Sequence, residues 1–420
     1  MSDNKQINRV LGQRLPASDK RRLVLLTGAR QTGKTTLAKM RYSDMRYLNL
    51  DAPENREAVR AVASTLWSRD VGPAIIDEAQ KEPVVFDKVK FAYDDGALPF
   101  SILLGSSQIL LLKKIRETLA GRISIFELWP LMMCEIFNNS AKTSRGLPLV
   151  DNLYSTMNCD DIFGNKPGIL LDDENALRRS AQDYLLQWGG MPALIALPAE
   201  ERRQWLKDYE YTYLERDVAD LARLNDLMPF RKFQRLSALR SGYLLNYAEL
   251  ARDAAVSVDT ARRYLEYLRL SYQTVLLPPY HSNLTSTVIK TPKTYWLDIG
   301  LLRHLTGMQE AITGEIYESM VVAELFKWMK TMGHDGDLYF YRTRSGLEVD
   351  IILESPAGVI GMEIKSRSSL AAKDATGLKE IASAIGKRWR GGLVIYSGNE
   401  IKRVASPQIW AVPSHRLFTN

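Results

Sequence analysis

Cysteine is nearly absent. Cys134 and Cys159 are the only two in the chain, too few for a disulfide framework. Four scattered histidines give no zinc-ligand spacing. No apolar run approaches the roughly 18 residues of a membrane-spanning helix. The opening MSDNKQINRVLGQRL lacks the apolar core of a signal peptide. A cytoplasmic location with no membrane partner is therefore expected. Positive charge is in modest excess: 56 Lys and Arg against 49 Asp and Glu, a formal +7. That balance suits a nucleic-acid partner without establishing one. The 420 residues, 45% hydrophobic and 25% charged, fit an ordinary soluble chain of two to four domains at roughly 100–200 residues each.

Residues 28–35 read GARQTGKT, a full GxxxxGK[ST] phosphate-binding loop behind the apolar run Leu23–Leu26. Gly28 and Gly33 permit the tight turn, so the N–H groups of Gly28, Ala29, Arg30, Gln31, Thr32, Gly33, Lys34, Thr35 and Thr36 can gather on an ATP phosphate chain. Lys34 reaches the β- and γ-phosphates, and Thr35 ligates Mg²⁺. Residues Leu37–Arg41 continue as a helix whose N-terminal dipole faces the anion. Two further strands are predicted, Tyr47–Leu50 and Ala74–Ile76, the latter running into Asp77-Glu78. Asp77 would hold Mg²⁺ through water and Glu78 would polarise the attacking water. A fourth strand, Phe100–Leu104, ends in Gly105-Ser106-Ser107-Gln108. There Ser107 is either a γ-phosphate reporter or part of a Gly-Ser turn. Alternating strands and helices imply a parallel sheet with the nucleotide at the carboxyl ends.

The segments LTGARQTGKTTL, IIDEAQ, ILLGSSQ and LAGR followed by ELWPLMMCEI resemble the predicted AAA+-type ATPases of bacteria and archaea that carry a long C-terminal extension of uncharacterised type. GGMP, YLERDVADL and LLPPY extend the resemblance over nearly the whole chain. Ala193 departs from it, since that family often has Glu after the Gly-Gly-x-Pro turn, and residues 141–176 look like an insertion. The resemblance implies a homo-oligomeric ring in which a neighbour's arginine meets the γ-phosphate. Arg122 is the first candidate and Arg216 the second, with a structural salt bridge as the alternative for each. A guanidinium suits that place because phosphoryl transfer spreads negative charge over three oxygens.

Residues 141–176 mix Ser, Asn, Gly and Pro and read as a loop or linker; helical periodicity resumes from Ala176 to Arg223. Farther on, Tyr247–Asp253 and Val258–Leu270 read as two helices about a short turn, with Ser257 as the N-cap. This is a helix-turn-helix. Thr260, Arg262, Arg263 and Tyr264 would face a DNA groove, and Tyr272–Leu277 would supply a wing strand. The alternative is a helical pair that packs between subunits.

Near the end, two apolar strands, Glu348–Leu353 and Val359–Lys365, carry Asp350 and then Glu363-x-Lys365, the D…ExK pattern of the PD-(D/E)xK nuclease fold. Period-two alternation puts Glu363 and Lys365 on one face. In a nuclease, Asp350 and Glu363 would hold Mg²⁺ and Lys365 would orient water, with Glu318 as a further acid. The alternatives are a solvated ion pair and a retained scaffold that grips a backbone without cutting.

The expected fold is therefore α/β: a P-loop AAA+-type ATPase core (1–140), a linker and helical lid (141–225), a winged helix-turn-helix domain (226–310) and a nuclease-like α/β domain (311–420). The expected function is an ATP-hydrolysing machine that binds or remodels duplex or branched DNA. Its rivals are an ATP-regulated Mg²⁺-dependent nuclease and a nucleotide-switched assembly protein with no DNA activity.

Overall fold

The computed structural model describes residues 7–105, 118–141, 146–155, 158–213, 227–280, 291–308, 310–344 and 346–419. Ser107 and Arg216 lie outside them. The first sheet has five parallel strands, β1 (Arg22–Thr27), β2 (Arg46–Asn49), β3 (Ala74–Asp77), β4 (Phe100–Leu104) and β5 (Ile123–Glu127), in the order β2-β3-β4-β1-β5. Helices α1 (Lys34–Arg41), α2 (Pro53–Ala61) and α3 (Val84–Asp94) connect them. A parallel sheet covered on both faces demands near-continuous apolar strands, and β1 shows why. Leu23 and Leu25 enter a core with Val85, Phe86 and Val89 of α3, whereas Val24 and Leu26 enter another with Leu37 and Ala38 of α1. Strand β5, which the sequence reading passed over, is half-exposed at the sheet edge.

Among the described residues eight helices follow: α4 (Met133–Ala141), α5 (Leu149–Ser155), α6 (Cys159–Phe163), α7 (Asp173–Trp188), α8 (Ala199–Tyr213), α9 (Met228–Leu239), α10 (Tyr247–Ala254) and α11 (Val258–Leu270). The expected linker at 141–176 is thus corrected, because α5 and α6 are packed helices. Val150, Leu153, Cys159, Ile162 and Phe163 are buried, and Asn158 and Asp172 accept bonds from the first turns of α6 and α7. The polar residues that suggested a loop include the helix caps. Gly391 admits the close approach of α6, since a Cβ there would lie 2.4 Å from Cys159 Sγ.

Helices α10 and α11 meet at Ala255, which is left-handed (φ 57°), and Ser257 Oγ accepts the Thr260 N–H at 3.1 Å. An antiparallel hairpin follows, β6 (Thr274–Leu277) with β7 (Lys293–Trp296). Tyr264 is not a groove residue: it is buried against Phe230 and Phe233 of α9. After α12 (Ile299–Thr306) and α13 (Gly314–Met332) comes a six-stranded mixed sheet. Its strands are β8 (Asp337–Arg342), β9 (Glu348–Ser355), β10 (Gly358–Lys365), β11 (Trp389–Tyr396), β12 (Lys402–Ala405) and β13 (Ile409–Pro413), in the order β12-β13-β11-β10-β9-β8. Helix α14 (Thr376–Ile385) bridges β10 and the parallel β11. One core runs from α4 through the middle helices and α13 into this sheet.

Candidate functional site

The turn after β1 takes positive φ at three residues, 145° at Gly28, 59° at Gln31 and 93° at Gly33. Gly28 is also a contact requirement, because a Cβ there would sit 2.1 Å from the Leu128 carbonyl oxygen. Lys34 begins α1, and its Nζ donates to the carbonyls of Gly28 at 3.0 Å and Ala29 at 2.7 Å. Thr32 is buried and donates its hydroxyl to the Ala29 carbonyl at 2.9 Å, so it braces the loop by its side chain. Arg30 is half-buried, and Gln31 and Thr36 are exposed.

The end of β3 meets the start of α1. Thr35 Oγ1 donates to Asp77 Oδ2 at 2.7 Å, which brings together the two predicted Mg²⁺ ligands from strands that β4 separates. Tyr47, the second residue of β2, donates to the same Asp77 oxygen at 2.8 Å. Glu78 follows in the left-handed region and accepts from Gln80 Nε2 at 2.6 Å. Burial, reinforced by the charges of Asp77 and Asp51, pushes the Glu78 carboxyl above its usual range. Such a shift moves a carboxylate toward general-base strength.

The back of the loop is covered by later parts of the chain. Trp129 packs edge-on against Tyr272 and Phe326, with ring centroids 5.0 and 5.4 Å apart, beside Ala29, Leu297 and Ala323. Tyr272 Oη is 3.1 Å from Thr27 Oγ1. Arg9 ties the loop down, donating to the carbonyls of Thr32 at 2.7 Å and Trp129 at 2.6 Å while pairing with buried Glu135 at 3.1 Å. Sequence reasoning missed Arg9, Tyr47, Glu135 and Tyr272. Each acts across a long stretch of chain and carries no motif.

Arg122 stands elsewhere. It precedes β5 at the amino ends of the strands, one β1 length from the loop, roughly 17 Å at strand rise, and its Nε pairs with Asp94 Oδ1 at 2.6 Å. It does not meet the loop of its own chain.

On α11, Thr260, Arg262 and Arg263 fall in the first two turns. Arg262 pairs with Asp259 at 3.0 Å and lies over the Tyr247 ring; Arg263 Nη2 donates to Thr260 Oγ1 at 3.4 Å. Nearby basic residues are also answered within the chain, Arg240 by Glu249 and Asp253 and Arg269 by Glu266.

The C-terminal acids gather where β9, β10 and α13 meet β7. Asp350 is buried, and its Oδ2 accepts the Ile364 N–H at 2.8 Å. Burial first, then the charges of Glu318 and Glu363, hold its carboxyl well above the usual range. Glu363 pairs with Lys365 at 2.6 Å, so the two share a face as alternation predicts. Sequence reasoning missed Lys293, whose Nζ lies 3.2 Å from Glu318 and 2.8 Å from Glu348. It also missed Tyr295, which donates to Glu318 at 2.5 Å. A buried lysine opening an aromatic strand gives no advance sign of its partners.

A family model described as an AAA domain matches residues 20–137. The phosphate loop and the Thr35–Asp77 contact both lie inside the matched segment. Residues 179–311 and 313–417 match models each described as a domain of unknown function, DUF8612 and DUF4143. An uncharacterized protein of Mycobacterium tuberculosis is 28% identical over 407 residues, covering 94% of this chain and 81% of its own length, and one of Mycobacterium bovis matches equally. Among solved structures, a Walker-type ATPase of Pyrococcus abyssi aligns at TM-score 0.44 and 16% identity, over 72% of this chain and 97% of that one. The ORC2 protein of Aeropyrum pernix, in its ADP form, aligns at TM-score 0.27 and 16% identity, over 63% and 84%. At those scores neither likeness adds to what the loop and the family match give. No helix among the described residues is long and apolar enough to cross a membrane.

Proposed function

We propose that this protein is an ATP-driven machine on DNA, working as a homo-oligomer in which hydrolysis at one subunit's loop is completed by a neighbour's Arg122. The observation that carries it is the 2.7 Å contact between Thr35 and Asp77 beside the GARQTGKT loop. The AAA domain implies ATP and Mg²⁺, and the donor set fits them: Thr35 and Asp77 offer adjacent hard oxygens, the type Mg²⁺ takes. When bound, the ion would neutralise charge on the β- and γ-phosphates. Lys34 would swing from the Gly28 and Ala29 carbonyls to the phosphates. Gln80 would orient Glu78 toward the attacking water, and Tyr47 would hold Asp77 in place. The placement of Arg122 supports action in trans, since it is remote from its own chain's loop.

The DNA reading rests on helices α10 and α11 with the β6–β7 hairpin, which together have the order of a winged helix. Thr260, Arg262 and Arg263 stand at the exposed start of its second helix. The domain after residue 310 runs α13-β8-β9-β10-α14-β11, and that order favours the nuclease-like reading of its fold. Its acids do not fit a divalent ion as they stand, because Glu318, Glu348 and Glu363 are each met by an ammonium group and Asp350 by a backbone N–H. No cutting step is assigned to them. A nucleotide-switched assembly protein is the second reading, favoured by the packing of Tyr272 and Phe326 on the loop's own Trp129.

The deciding experiment is ATP turnover with and without duplex, single-stranded and four-way branched DNA, with Lys34→Ala as the blank. Stimulation by one form supports the machine and names its substrate. Normal basal turnover with no DNA affinity at moderate salt sinks the DNA reading and leaves the switched assembly protein.

A further inference from the structure

The acidic nest of the C-terminal domain contains a cation of its own. Lys293 belongs to β7 of the hairpin, not to the C-terminal sheet, yet its Nζ sits between Glu318 of α13 and Glu348 of β9 at 3.2 and 2.8 Å. Its side chain is 5% exposed. Burial disfavours the charged amine, but Glu318, Asp350 and Glu348 outweigh that and raise its pKa. Tyr295, two residues along the same strand, adds its hydroxyl to Glu318 at 2.5 Å. The strand therefore places two donors on one carboxylate of another domain. Breaking such a contact from one side leaves a buried charge without a partner, which is strongly unfavourable. The nest opens on a cavity of about 550 Å³ between hairpin and sheet, lined by Arg240, Lys293, Glu315, Glu318, Arg342 and Glu348, so solvent ions have a route to it.

We infer that Lys293 is the resident cation of this nest, and that the nest is a socket which locks the hairpin onto the C-terminal domain instead of a divalent-metal site. An ammonium satisfies such a cluster with up to three donors at ordinary hydrogen-bond distances. Mg²⁺ demands near-octahedral oxygen ligation at about 2.0–2.1 Å, and the ammonium already holds Glu318 and Glu348, two of the acids that would complete such a shell beside Asp350. A divalent ion would have to take the Glu318 and Glu348 oxygens that Lys293 holds, so the two compete for the nest. Taking the lysine away should turn the socket into an ordinary acidic metal site.

Two measurements on the full chain without nucleotide test this. The first counts bound Mn²⁺ by electron paramagnetic resonance in the wild type, Asp350→Asn, Lys293→Arg, Lys293→Met and Lys293→Met/Asp350→Asn, with circular dichroism checking that each is folded. Lys293→Met should gain one ion over the wild type, and the double variant should lose it. Asp350→Asn and Lys293→Arg should match the wild type. A wild-type ion that disappears in Asp350→Asn, or a folded Lys293→Met that gains none, overturns the inference. The second needs no variant at Lys293: it follows acetylation of the Lys293 amine by mass spectrometry as Mn²⁺ is raised. An unchanged, slow rate supports the socket. Acceleration by Mn²⁺ that is absent in Asp350→Asn means that the metal expels the lysine, and overturns it. If Lys293→Met fails to fold, this labelling result decides alone.

Discussion

Glu78 holds a left-handed backbone conformation, φ 54°, that residues other than glycine seldom adopt. The conformation is stabilised locally, since the Glu78 N–H donates to Asp77 Oδ1 at 3.0 Å and Gln80 holds the side chain. Strain of this kind gathers at functional sites, and here it aims a carboxylate away from the strand direction that fixes Asp77. Replacing Glu78 by Gln keeps the shape and removes the base. Hydrolysis should fall by about 10²–10⁴-fold with ATP binding retained, measured by single-turnover assay and nucleotide titration. Because burial raises the Glu78 carboxyl, the acid limb of wild-type turnover should lie above the ordinary carboxylate value of about 4.3. A Gln variant at wild-type rate would remove Glu78 from the mechanism. The dipeptide was legible in sequence because strand, spacing and loop agree. Tyr47 was not, because its bond to Asp77 exists only once β2 lies beside β3.

Helix α11 shows what a sequence can and cannot say about an element. Ser257 as its N-cap and the apolar positions Ala261, Leu265 and Leu268 on one face are local signals, and they locate the helix. Charge partners are not local signals in the same sense. Read along the chain, the basic residues of 231–270 outnumber the acids; the Arg262–Asp259 pair lies within one helical turn, but the pairing of Arg240 with Asp253 and Glu249 appears only on folding. If α11 meets DNA, Arg263 should therefore matter more than Arg262. Arg263→Ala should weaken binding and reduce the salt slope of affinity by about one, whereas Arg262→Ala should do less. Anisotropy titrations at several salt concentrations read both, and equal slopes for Arg263→Ala and wild type would take α11 off the DNA. Tyr264 and helices α5 and α6 were misread for a related reason. An aromatic or a polar-capped short helix declares its burial only through residues that arrive from elsewhere in the chain.

At the scale of the molecule, the last residues close the core. His415 is buried beside Asn175 of α7, with Nε2 3.2 Å from Oδ1, and burial, with Arg179, Arg416 and Arg178 nearby, lowers its pKa to about 3. The unfolded chain takes up that proton near pH 6.5 and the folded chain does not, so the contribution is present above about 6.5 and is lost as pH falls toward 3. By pH 5 it should have cost about 2 kcal/mol. Urea unfolding of His415→Gln at pH 7 and 5 should show a correspondingly smaller acid loss than wild type; an equal loss would show that His415 does not couple protons to folding. Assembly is a separate question at the same scale, and Arg122 decides it. Its Asp94 partner is exposed, so the pair contributes little to stability, and Arg122→Ala should fold normally. If Arg122 acts on a neighbour's phosphate, turnover should nonetheless drop about 10³-fold or more. Glu78→Gln subunits keep the arginine and lack the base; Arg122→Ala subunits have the reverse defect. Mixed, they should recover a fraction of wild-type turnover that neither has alone, because some interfaces combine an intact Glu78 with an intact Arg122. An Arg122→Ala protein that hydrolyses ATP normally would confine Arg122 to its pair with Asp94 and pass the role to Arg216. Loss of activity without recovery on mixing would place its effect within one chain, which the distance between Arg122 and the loop does not explain.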